Sequence, residues 1–515
     1  MSATVRERRA TVHHALILGV LGFVLLGCEP SQEEEHESEQ PAERQPVDVG
    51  TDTDAWEVAP RANADGEARF EEDRSRHADF SDAMHAVFAV AARARDSEMG
   101  HEAYRPEMHE DFMAERARLW LELVRVTQSR FADGIAARPE ALRSDDGGWE
   151  ARGEPLLADL PWGVYVYHMH HRNEWFAHHG LEDPITHNAL GYLTGLSRHV
   201  FEGFYDDGRF YRDPDHEEFD LASLAAGQAA AHAMAYAWVR HAKPGGEEDM
   251  GQVPEEQLSG WLGKDPEGLL DFARESADVL EAAWDSDHGV YRFDGMQSLD
   301  LDVLGQLLRG HKALYEVLTI FGDEEDQGLA EELFDRAAQM ARAVLELEQD
   351  WGLPARLRFD EGGVAPDAEV VNTTAQWEFI AHLSAGFSFL REREGTAMML
   401  ERRDPELAEK LDAMVDRQIQ AALEYQMPEG ILVRELDFGD GAVRDADHEL
   451  AGITRFLLGA GEGYGGSGAF ATPGDWDEAD EQVRERTKAL YQSILDHGEF
   501  VEERLIRRPE GKPAD

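Results

Sequence analysis

Three sets of side chains in this 515-residue chain have types and spacings suited to chemistry. The first is the run Tyr165-Val-Tyr-His168-Met-His170-His171-Arg-Asn-Glu174-Trp175-Phe-Ala-His178-His179. On a helix His168 and His171 share a face, with Trp175 and His178 further along it. Neutral imidazoles at offsets of three and four suit Zn²⁺ or Cu²⁺. Glu174 lies at neither offset a zincin needs. His168, His171 and His178 are thus a candidate metal set, with a polar ligand wall or plain packing and surface histidines as alternatives. The second set is His232, His311 and His382, each inside a long apolar segment. His311 lies on the stripe Leu301, Leu304, Leu308, His311, Tyr315 and Leu318. Such a histidine is usually a hydrogen-bonded core residue, but histidines converging on one cavity can abstract a proton.

The third set gathers at four glycine turns: Tyr205 to Phe210, Trp284 to Tyr291, Trp351 to Phe359, and Tyr425 to Arg434. Tyr205, Trp284, Tyr291 and Trp351 offer ring faces, and Arg356, Arg358 and Arg434 offer guanidinium forks. Rings stack on the CH faces of sugars and forks hold carboxylates, so these seven are the candidate substrate-binding residues. Glu435, Asp447 and His448, with His311 and His382, are the candidate catalytic residues. Two carboxyl groups flanking a glycosidic bond are the minimum for its hydrolysis. Asp220 and Asp445 also read as simple helix N-caps.

The turns recur roughly every 65 to 80 residues, the length of a helical hairpin with its loops. About twelve helices are expected, with strands confined to short runs after the turns. One kind is wet on one face: over 326–349, Leu329, Leu333, Ala337, Met340, Val344 and Leu347 share a stripe. The other is apolar all round, as in Leu221 to Val239 and Val371 to Leu390, and must be buried. An inner ring inside an outer ring satisfies this alternation, closed by six hairpins. All four turns then lie on one rim, beside the N-termini of the inner helices.

With this alternation and turns such as Trp284…Gly289-Val-Tyr291, residues 80–505 resemble the (α/α)6 toroids. Those include the six-hairpin glycosidases and the N-acylglucosamine 2-epimerase-like proteins. The resemblance is to the fold. It implies an all-α toroid with short β excursions on one rim, and a glycoside hydrolase or sugar epimerase, if an enzyme. Such a site requires no cofactor. A non-catalytic envelope scaffold is the rival reading. The run Gly459 to Gly468 lacks the Lys-Ser/Thr of a P-loop and reads as a loop near the ring closure.

The chain carries 106 acidic against 49 basic residues. That excludes nucleic acid as a partner and fits a solvated acidic surface, as in proteins kept soluble in high salt. Arg6, Arg8 and Arg9 precede an apolar run from Ala15 to Gly27, too short to span a bilayer comfortably. The run ends in Leu25-Leu26-Gly27-Cys28, and Cys28 is the sole cysteine. This resembles a bacterial lipoprotein signal. The resemblance implies removal of 1–27 and lipidation of Cys28. Glu29 implies an outer-membrane anchor facing the periplasm. Residues 28–77 read as an acidic disordered tether, 78–505 as the toroid, and 506–515 as a disordered tail. No protein partner is identified.

Overall fold

The computed structural model describes residues 57–69, 77–103, 123, 127, 140–143, 149–152, 156–164, 195–242, 259, 263–293, 295–361, 363–367, 369–384, 393–394, 397–462 and 481–507. Cys28, the signal segment, and His168, His171 and His178 lie outside them. So does most of the Gly459–Gly468 run. Among the described residues no helix is long and apolar enough to cross a membrane.

Two kinds of helix start differently. Inner helices run straight out of rim strands. Strand Ser298–Asp300 feeds α4 (Leu301–Phe321), Val370–Asn372 feeds α6 (Thr373–Ser384), and His448–Glu449 feeds α8 (Leu450–Phe456). In the same way His77–Asp79 feeds α1 (Phe80–Ala103). α2 (Leu221–Ala242) is capped by Asp220, whose carboxylate accepts from the Ser223 amide at 2.7 Å. Outer helices start from aspartate caps. Asp265 precedes α3 (Pro266–Ala283), Asp323 α5 (Glu324–Leu345), and Asp404 α7 (Pro405–Ala421). Each cap accepts a backbone N–H of the first turn, and Pro at N1 of α3 and α7 has no N–H to orphan. The expected helix starts near 299, 369 and 445 are therefore strand, because those residues pair across the rim before the helix begins.

The inner helices form a ring. α2 packs on α4, α4 on α6, α6 on α8, and α8 on α1. The buried turn and helix at 157–164 complete it, touching α2 on one side and α1 on the other. Glycine on opposite faces of α4 lets the backbones close. A Cβ at Gly305 would lie 2.9 Å from Phe379 Cα, and one at Gly310 2.5 Å from Gln228 Cβ. Around this ring lie α3, α5, α7 and α9 (Glu481–Phe500). α5 buries Leu333, Ala337, Met340 and Val344, as the stripe predicts. The chain is thus an (α/α)6 toroid.

Arginines link successive outer helices. Arg274 meets Asp326 at 2.7 Å, Arg336 meets Glu281, Arg342 meets Asp404 at 2.5 Å, and Arg486 meets Asp416 at 3.8 Å. A planar fork can hold a carboxylate bidentately where lysine cannot, and Arg274 does so through Nε and a terminal nitrogen.

Rim strands tie one repeat to the next. Ser298–Asp300 pairs with Arg356–Asp360, and Val370–Asn372 with Glu435–Asp437. At the seam the tether prediction needs correction. Glu57–Val58 pairs with Ile506–Arg507, and Arg61–Ala62 with His448–Glu449. Ala59 and Ala62 are fully buried. Residues 57–69 are a strap that closes the ring, because the first and last hairpins lack the loop that joins every other neighbouring pair.

Candidate central acid–base site

Equivalent positions on three inner helices deliver polar side chains to one cluster. His85, Glu378 and Arg455 are each the sixth residue of their helix. Glu378 is buried, and its Oε1 accepts from His382 Nε2 at 3.1 Å. Its Oε2 accepts from Arg455 Nε at 2.5 Å. The Arg455 guanidinium lies 5.3 Å from the Trp162 ring, and the Trp162 ring lies 4.6 Å from that of His85. His85 Nδ1 is 2.6 Å from Thr454 Oγ1, and that hydroxyl donates to the Ala451 carbonyl at 3.0 Å. With the hydroxyl proton so placed, the His85 Nδ1–H is the donor. Asp302, in the first turn of α4, completes the group; its Oδ1 accepts the Val303 amide at 2.9 Å.

The electrostatics separate these groups. Burial opposes the charge of Glu378, but Arg455 and His382 outweigh it and hold the carboxyl well below the usual carboxylate range. Burial pushes Asp302 the other way, and the Glu378 charge adds to it. Two neighbouring carboxyl groups therefore have opposed shifts, the pattern that assigns one acid and one fixed anion. Burial also lowers His382 against the pull of Glu378, so at neutral pH it is a neutral imidazole. Its Nε2–H goes to Glu378 and its Nδ1 lone pair meets no partner among the described residues. His85 is lowered by burial and then by Arg455. The cluster thus sets a carboxyl that burial shifts upward, Asp302, beside a fixed anion between two donors, with a His382 Nδ1 that meets no partner among the described residues. That set can add a proton at one point and remove one at another.

Of the sequence candidates, only His382 belongs to this cluster. His311 is core: its Nε2 accepts from Tyr291 Oη at 2.8 Å and its Nδ1 donates to the Leu307 carbonyl at 2.7 Å. Burial lowers the pKa of His311 to about 4. Tyr291 is fully buried, a correction to its expected place on the rim. Its fixed OH is the reason the stripe tolerates a histidine. Trp284 stacks edge-on with Tyr291 beneath Arg336. Tyr205 donates to Glu275 and sits among Phe201, Phe210 and Phe272 under Lys264. Trp351 donates its Nε1–H to the Phe438 carbonyl at 2.9 Å and packs on a small core of Val371, Val433 and Leu436.

The rim arginines are engaged as well. Arg356 pairs with Asp300, Arg358 with Asp360, and Arg434 with Asp445 and Glu435. Asp447 is held by Arg69 at 3.0 Å, and buried His448 donates to the Leu432 carbonyl. The rim set thus builds the loops and is not gathered into one site. Asp445 is a strand residue and not a cap. Among the described residues no three His, Cys, Asp or Glu side chains group as a metal would need. An open groove of about 420 Å³ lies over the strap, near Gly66, Glu67, Arg504 and Arg507. None of its lining residues belongs to the cluster of His85, Asp302, Glu378, His382 and Arg455, and buried groups with shifted pKa values are the better mark of a site. Sequence reasoning missed Asp302, Glu378, Arg455, Trp162 and His85. Aligning the inner helices by their starts, and comparing the sixth residue of each, would have exposed three of them.

A ring of inner helices around a buried polar cluster is the arrangement of an (α/α)6 toroid. Among solved structures the chain is similar to a cellobiose 2-epimerase from Bacillus thermoamylovorans B4167, at 11% identity over 79% of this chain and 93% of that one, with a TM-score of 0.46. It is similar to a D-mannose isomerase at 14% identity over 79% and 89%, with a TM-score of 0.41. It is also similar to the unsaturated glucuronyl hydrolase of Bacillus sp. GL1, at 15% identity over 82% and 83%, with a TM-score of 0.38. No family model and no curated protein matches the sequence. At these values the toroid rests on its own helix packing.

Proposed function

We propose that this toroid processes a carbohydrate by proton transfer, as a sugar isomerase or epimerase would. The carrying observation is the buried Glu378 held between His382 Nε2 and Arg455 Nε, with its carboxyl shifted down and that of Asp302 shifted up. Asp302 is the acid and His382 the base. Both Glu378 oxygens are occupied, so Glu378 orients His382 and Arg455 rather than attacking substrate. That occupancy favours proton transfer over hydrolysis by a carboxylate pair, which remains the second reading.

A thermal-shift screen of the full chain in high salt, against neutral and acidic sugars, comes first. A true ligand raises the melting temperature. With the sugar found, Asp302→Asn and His382→Gln should each lower kcat by about 10²–10⁴-fold. Deuterium gained from D₂O at a sugar carbon marks the isomerase, and release of a reducing end marks the hydrolase. No shift across the panel, or wild-type turnover in both variants, overturns the reading.

We further infer, from Leu25-Leu26-Gly27-Cys28, that the toroid is anchored in the cell envelope through lipid on Cys28, and that the tether ends where the strap begins. Cys28→Ala should move the protein from the membrane to the soluble fraction and abolish labelling by radioactive palmitate. Unchanged fractionation removes the anchor.

A further inference from the structure

The rim holds a histidine that the proposed chemistry does not use. His288 sits in the turn between strands Trp284–Asp285 and Val290–Tyr291. Its Nδ1 is 2.9 Å from Asp285 Oδ2, and its Nε2 is 2.9 Å from the Asp360 carbonyl. Asp360 ends strand Arg356–Asp360 of the next rim hairpin, whose return strand is Gly363–Pro366. Both partners of the imidazole are acceptors. A neutral ring has one N–H and can satisfy only one of them; the imidazolium satisfies both.

We propose that His288 is a pH-operated latch between these two rim hairpins, closed when the ring is doubly protonated. The charged groups around it are few. Asp285 comes from its own turn and also receives Arg292 Nε at 2.7 Å. Arg292 lies 5.3 Å from the Phe359 ring, and the edge of His288 meets the same ring at 5.6 Å. Asp360 offers its carbonyl while its carboxylate is held by Arg358 at 3.0 and 2.8 Å. From α5 the neighbour of the turn is uncharged Gln339, packed on Gly289.

The Asp360 carbonyl and then Asp285 favour the cation, burial and Arg292 oppose it, and the net shift is upward. A raised pKa in the fold means the latch contributes fully below the unfolded value of about 6.5 and is lost as pH climbs through the folded value. On deprotonation the remaining N–H stays with the carboxylate, the stronger acceptor, so the contact to Asp360 is the one that breaks. The freed strand also carries Arg356, the partner of Asp300, two residues before Asp302.

Amide hydrogen exchange read by mass spectrometry on the full chain tests this without any substrate. Peptides covering 356–366 are followed from pH 6 to 9, corrected for intrinsic rate. Protection in the wild type should fall as pH rises from about 6.5 to the folded pKa of His288, by at most about tenfold per pH unit, and level off above it. His288→Gln should show the unlatched rate at every pH. Flat protection in the wild type, or the same slope in His288→Gln, overturns the proposal. Asp285→Asn keeps the ring, so its imidazole titration, read by NMR, should move to lower pH; an unchanged titration overturns the proposal too.

Discussion

Replacing Glu378 with glutamine should remove about 3–5 kcal/mol of stability, because it strands a buried charge. Arg455 would lose the carboxylate its Nε meets at 2.5 Å, and His382 would lose the anion that orders its Nε2–H. Water cannot make up the loss, since the Arg455 side chain is only 13% exposed. Urea denaturation measures the cost. The control is the double variant Glu378→Gln with Arg455→Met. Removing both charges leaves none uncompensated, so much of the stability should return. If the double variant is as unstable as the sum of its parts, the pair is not coupled as described.

The pH sign follows from the same contacts. Glu378 is held below its unfolded value, so its contribution is complete above the unfolded carboxylate pKa and lost as pH falls through the folded one. The single variant should therefore lose its disadvantage in acid. Turnover separates stability from chemistry: Asp302→Asn should lower kcat by about 10²–10⁴-fold without this cost, because among the described residues Asp302 accepts just the neighbouring Val303 amide.

Trp377→Ala should cost about 3–5 kcal/mol as well, through a cavity and not a charge. Trp377 is fully buried on α6, edge-on to Phe456 at 4.9 Å. Its face lies against Gly459, where a Cβ would come within 2.9 Å. Its Nε1–H donates to Gln426 Oε1 at 3.2 Å, and Gln426 in turn donates to the Trp351 carbonyl at 3.0 Å. One deletion thus empties the core and orphans a buried amide oxygen. Trp377→Phe keeps most of the volume and should cost clearly less. Equal losses in the two variants would locate the effect in the hydrogen bond alone.

The sequence by itself determined the toroid. The wet stripe of α5 and the all-round apolarity of α2 are local periodicities, and local periodicity decides which helix faces water. Glycine turns at a repeating interval fixed how many hairpins had to close. The aspartate before Ser223 was legible as a cap for the same reason: a cap acts within one turn.

The site was decided by the tertiary structure. Aromatics and arginines near the turns have the types that hold a ligand, yet Trp351 spends its N–H on the Phe438 carbonyl, Tyr291 its hydroxyl on His311 and Arg358 its fork on Asp360. Glu378 and Asp302 carry the same carboxyl group as more than a hundred other acids in the chain, and 76 positions separate them in the sequence. What sets them apart is burial and the partner each one meets. Burial and partners arise only when distant helices close into a ring, so no local pattern announces them.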